Sequence, residues 1–131
     1  MKIAIVASAS NYGFIPGIQQ KLIELGHIVT TPLELEKDVK KENYTSISHW
    51  KNKLIIQYME VIKINDVLLV VNLEKNGIKN YIGGNVLLEM GFTTAFGKKI
   101  FLYNDIPEVQ YKDEIEGLLP IVINQQLDRI K

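Results

Sequence analysis

Two neighbouring stretches decide the fold. They are Val67-Leu68-Leu69-Val70-Val71 and, after a polar interval, Val86-Leu87-Leu88-Glu89-Met90-Gly91-Phe92-Thr93-Thr94-Ala95-Phe96. The first is a short, unbroken, β-branched apolar run, as expected of a strand covered on both faces. The second is long enough for a helix, is closed by Gly97 and leads into Lys98-Lys99, a helix-stop pattern. A doubly covered strand followed by a helix is half of a parallel crossover unit.

Reading outward repeats the theme. Upstream, Lys2–Ala7 is a buried strand, and Gly13–Leu25 is a helix with Pro16 in its first turn and Gly26 as its stop. His27–Thr31 is a second strand ended by Pro32, and Leu33–Tyr44 is a charged, solvated loop whose Glu34–Asn43 part is expected to form a mobile cover. Trp50–Lys63 is a helix with an apolar face of Trp50, Leu54, Ile55, Tyr58, Met59 and Ile62. Downstream, Ile100–Tyr103 and Ile121–Ile123 are strands flanking a short helix, Tyr111–Leu119. No internal repeat or domain boundary interrupts residues 1–131. Alternating strands and helices with right-handed crossovers give a single-domain α/β fold. It is a doubly wound, five-stranded parallel sheet, flavodoxin-like or Rossmann-like, with expected strand order 2-1-3-4-5.

Composition narrows the function. Hydrophobic residues make up 47% and charged residues 23%, which excludes a disordered chain. Lys+Arg and Asp+Glu are both 15, so the chain lacks the cationic excess expected of a nucleic-acid-polymer binder. Cysteine is absent, which removes disulfides, thiolate metal sites and cysteine nucleophiles. His27 and His49 have no ligand spacing, so no metal is expected. No apolar run nears the ~18 residues of a membrane span, and the opening lacks a signal-peptide core. A soluble cytoplasmic domain is the expectation.

In an open parallel sheet the ligand lies beyond the carboxyl ends of the strands, at the point where strand order reverses. That rule selects Ser8, Ser10, Asn11 and Tyr12 after the first strand. It also selects Asn72, Gly83, Gly84 and Asn85 after the third, and Asn104 after the fourth. Amides and hydroxyls dominate, a set suited to a sugar or base. Gly83-Gly84 is a flexible turn or a place where backbone N–H groups approach a ligand at a helix start. It fits neither the dinucleotide fingerprint nor the P-loop. Asp66 is at the amino end of its strand and is assigned a turn or capping role.

Glu89 is the only charged residue between Lys79 and Lys98. With Asn85 as N-cap it would be the fourth helical residue, one past the capping-box position. Two readings stand: a carboxylate favoured by the helix dipole, worth ~0.3–1 kcal/mol, or a catalytic carboxylate facing the cleft.

Asn65–Val71, then Gly83-Gly84-Asn85-Val86-Leu87-Leu88-Glu89-Met90-Gly91-Phe92, then Gly97-Lys98-Lys99-Ile100-Phe101 resembles the nucleoside 2-deoxyribosyltransferase-like superfamily, which includes nucleoside monophosphate N-glycosidases. The resemblance implies cleavage or exchange at an N-glycosidic bond, with a nucleoside or nucleotide as the bound partner and no cofactor. It makes Glu89 the nucleophile and places Ser8 and Ser10 in the loop that holds sugar or phosphate. Gly83 stands where transferase members commonly carry an Asp. Ile5 stands where some members carry a tyrosine that orients the glutamate, which leaves Tyr12 and Tyr81 as candidates for that task. The resemblance also implies a homodimer or higher homo-oligomer, with Trp50, Tyr58 or Phe92 near the contact. The alternative is a non-catalytic nucleotide-binding or sensing module of the same fold.

Overall fold

The structure is a computed structural model that describes residues 1–131. Its strands are β1 (Lys2–Val6), β2 (Ile28–Thr30), β3 (Val67–Val70), β4 (Lys99–Leu102) and β5 (Ile121–Val122). Its helices are α1 (Ile15–Glu24), α2 (Pro32–Asp38), α3 (Ile47–Ile64), α4 (Gly84–Ala95) and α5 (Lys112–Gly117). All strand pairs are parallel, in the order β2-β1-β3-β4-β5. The expected architecture and strand order are therefore present, with element ends moved by one to three residues.

Side-chain alternation along each strand sorts the core into two layers. Ile3, Ile5, Val67, Leu69 and Phe101 face α1, meeting Ile15, Ile18 and Leu22, and are closed over by Leu127 and Ile130 near the C-terminus. Ala4, Val6, Leu68, Val70, Ile100 and Leu102 face the other way, onto Tyr58 and Ile62 of α3, Val86 and Met90 of α4, and Ile115 of α5.

Polar groups lock the two ends of the sheet. At the amino edge the Lys2 N–H donates to Asp66 Oδ2 at 2.7 Å, and the Asp66 N–H donates to the Lys2 carbonyl at 2.8 Å. Asp66 thus has the structural role expected of it. Lys98 reaches back to cap α3, its Nζ donating to the carbonyls of Ile62, Lys63 and Asn65. This charge-assisted cap also complements the negative end of the helix dipole.

Two local expectations are corrected. Leu33–Tyr44 is not an irregular loop: Pro32 opens α2, and a 3₁₀ turn follows at Lys41–Asn43. The segment is anchored because Val39 is buried and its carbonyl accepts from Trp50 Nε1 at 3.1 Å. The other correction concerns the start of α4. Asn85 is not its N-cap; Gly83 is, with extended backbone, and Leu87 N–H already bonds the Gly83 carbonyl at 2.9 Å. Glu89 is then the sixth helical residue, past the first turn where the dipole acts.

Candidate active site

A cavity of about 320 Å³ opens at the carboxyl edge, between the β1 exit and the start of α4. Small-molecule sites run from ~300 to 1,000 Å³. One wall is polar backbone and hydroxyl: Ala7, Ser8 and Ala9 after β1, and Gly83, Gly84 and Asn85 at the start of α4. The opposite wall is apolar and comes from α2 and α3, through Pro32, Leu35, Trp50, Leu54 and Ile55. Tyr12, Tyr58 and Tyr81 also line the cavity, and the charged lining groups are Glu36, Lys51, Lys75 and Glu89.

Glu89 is the chemical outlier here. α4 turns its side chain into the cavity, while its backbone carbonyl accepts from Thr93 Oγ1 at 2.8 Å. No protein hydrogen bond or ion pair engages the carboxylate. Burial pushes its pKa from an ordinary 4.5 to about 8, and the charge of Lys51 acts in the opposite direction. A partly buried carboxylate left without a donor in a cleft is a group available for chemistry.

Two of the tyrosines around it, Tyr58 and Tyr12, are held neutral. Burial raises the Tyr58 phenol well above its usual range, and the nearby Glu89 charge adds to the effect. Its hydroxyl donates to the Ile5 carbonyl. A phenol from α3 thus meets the backbone of β1 at Ile5. Burial and then Glu36 raise the Tyr12 phenol, whose hydroxyl donates to Glu36 Oε1 at 3.1 Å. Tyr81 lies against Gly83, so that a Cβ added at Gly83 would meet its ring at 3.1 Å and its hydroxyl at 3.2 Å. Lys75 stands 5.4 Å over the same ring. The hairpin that carries Lys75 turns at Asn76-Gly77, both with positive φ.

Of the residues selected from sequence, Ser8, Tyr12, Tyr81, Gly83, Gly84, Asn85 and Glu89 share the cavity. Ser10, Asn11 and Asn104 are not in its lining. Ser10 is exposed, with its Oγ 3.5 Å from that of Ser8. Asn11 is buried inside the 3₁₀ turn Ala9–Phe14 with an unpaired Nδ2. Asn104 is consumed by the sheet edge: its Nδ2 donates to the Asn72 carbonyl at 3.0 Å, and its Oδ1 accepts from Gln125 Nε2 at 2.9 Å. Sequence reasoning missed Glu36, Lys51, Trp50, Tyr58 and Lys75 as site residues. Trp50 and Tyr58, expected in the core or near a subunit contact, both line the cavity, and Tyr58 is also part of the core.

No group of three or more His, Asp or Glu side chains is placed to hold a metal ion. No helix is long and apolar enough to cross a membrane. No protein-family model matches the chain, and no curated protein does. Solved structures do. A 2-deoxyribosyltransferase from the psychrotolerant bacterium Bacillus psychrosaccharolyticus superposes with a TM-score of 0.60 at 21% identity, over 78% of this chain and 71% of that one. The fold is that of a 2-deoxyribosyltransferase. The corresponding enzyme from Leishmania mexicana gives 0.50 at 14% identity, over 79% of this chain and 65% of that one. The chain thus spans about two thirds of that relative's length.

Proposed function

We propose that this chain binds a nucleoside or nucleotide in the carboxyl-edge cavity and cleaves or exchanges its N-glycosidic bond, with Glu89 as nucleophile. The observation that carries the reading is the unpartnered Glu89 carboxylate, aimed into a cavity of this fold between an apolar wall and a polar one. The apolar wall suits a base, and the hydroxyl and amide wall suits a sugar. A Glu89 oxygen attacks the anomeric carbon as the carbon–nitrogen bond breaks, and the bonding pair leaves with the base. The resulting glycosyl ester is resolved when water or a second base attacks the same carbon and the ester pair returns to Glu89. An oxocarbenium-like transition state is stabilised by a carboxylate, so the reaction draws on no cofactor.

Attack requires the ionised carboxylate. With its pKa pushed up to about 8, Glu89 is largely protonated at neutral pH, and Lys51 is the residue that favours the reactive form. Exposed Ile56 on α3 and Leu88 on α4 support the further reading that copies associate through these helices as a homodimer or higher homo-oligomer. Light scattering at micromolar concentration tests that part, and a monomeric mass contradicts it.

The test of the function is incubation with a panel of ribo- and deoxyribonucleosides and their monophosphates, with free base read by chromatography. Base release by at least one member is expected. Saturable binding without release by any member would favour the sensing module, and no binding at all would remove the reading.

A further inference from the structure

Glu89 is one of two carboxylates in the cavity; the other, Glu36, is on α2 at the mouth of the apolar wall. Tyr12 donates to one of its oxygens, Oε1. No hydrogen bond or ion pair within the chain engages the other. The side chain is thus held at one oxygen and offers the second to whatever enters. Both Glu36 and Glu89 oppose ionisation of Tyr12, so this phenol remains a donor between them. Pro32 and Leu35, from the same helix as Glu36, line the cavity together with Trp50 and Leu54 of α3 and form the apolar surface on which a flat ring would lie.

The geometry points to Glu36, positioned by Tyr12, as the residue that selects the base, favouring one with an exocyclic amino group over its oxo counterpart. This inference rests on the nucleoside reading above. A carboxylate only accepts hydrogen bonds. An amino group on the base edge supplies the missing donor, whereas an oxo group would set lone pair against lone pair and leave the anion desolvated without a partner. Sites that hydrogen-bond a substrate group discriminate strongly when they are closed to water. Glu36 is exposed at the rim, where water competes, so the preference is about tenfold rather than thousands. The competing structural account is that the Tyr12–Glu36 bond only pins α2 to the loop after β1. It predicts a change in stability and none in selectivity.

Adenosine with inosine and cytidine with uridine are matched probes that differ in amino against oxo, offered as ribo- and 2′-deoxyribonucleosides. The measurement is kcat/KM for each pair, with calorimetric Kd values for the free bases adenine and hypoxanthine as a readout independent of turnover. The wild type is expected to favour the amino member about tenfold in both readouts. Glu36→Gln, which adds a donor, should bring the ratio to within about twofold, and Tyr12→Phe should lower it part-way by freeing the carboxylate. Denaturation midpoints confirm that each variant is folded. Equal use of both members by the wild type, or an unchanged ratio in Glu36→Gln, would overturn the role of Glu36 and leave the nucleoside reading standing. If no nucleoside or base is bound or cleaved, that reading falls and this inference falls with it.

Discussion

Raising the pH should destabilise the fold through Glu89, and replacing it with Gln should abolish that part of the pH dependence. In the unfolded chain Glu89 releases its proton near 4.5, whereas in the folded chain burial holds the proton until about 8. Between those values the folded state binds one more proton than the unfolded state, so stability falls as pH rises. The contribution is complete below the lower value and is lost as pH passes the upper one. At about 1.4 kcal/mol per pH unit the ceiling is about 5 kcal/mol. The side chain is only partly buried, so solvent screens it and about 2–3 kcal/mol is the expected size. Gln has nearly the same shape and no charge. Urea denaturation of wild type and Glu89→Gln from about pH 5 to about pH 9 isolates the effect, because other titrating groups, His27 among them, cancel in the difference. The variant should become progressively the more stable of the two as pH rises. A difference that stays flat to within about 0.5 kcal/mol across the range would refute the buried-carboxylate reasoning.

Three substitutions test the supports of the site. Asn72→Ala removes the donor to the Asn104 and Asp105 carbonyls and the acceptor for the Asn104 N–H; denaturation should show a loss of about 2–4 kcal/mol. Tyr58→Phe deletes the buried hydroxyl that donates to the Ile5 carbonyl, at a cost of about 1–2 kcal/mol in the same assay. Gly83→Ala puts a methyl group against the Tyr81 ring, where the extended backbone tolerates it. Ligand affinity by calorimetry should fall while the denaturation midpoint barely moves.

The sheet was legible because its strands are continuous apolar runs between clear stops. Val67–Val71 could only be central, and Gly97-Lys98 could only end a helix. Glu89 was legible for the same reason, as one charge within an apolar helix. α2 was not, because Glu34, Glu36, Lys37 and Asp38 mask the apolar Leu33, Leu35 and Val39. Pro32 reads as a strand stop, although proline also favours the first turn of a helix. Glu36, Lys51 and Tyr58 were hidden for a different reason. They reach the cavity from elements far from Glu89 in the chain, and only the packing of α2 and α3 over the sheet edge brings them there. Asn104 shows the converse. Position at the correct edge nominated it, but its amide is already committed to Asn72 and Gln125.

The central claim is that Glu89 forms and breaks a bond to the sugar. Its most direct test compares base release by wild type and Glu89→Gln at matched folded concentration, with intact-mass and peptide analysis for a glycosyl adduct after acid quench. The account predicts release by the wild type, with an adduct on the peptide that contains Glu89. It also predicts loss of both by orders of magnitude in a variant that still binds nucleoside. Equal rates of base release by the two proteins would contradict it.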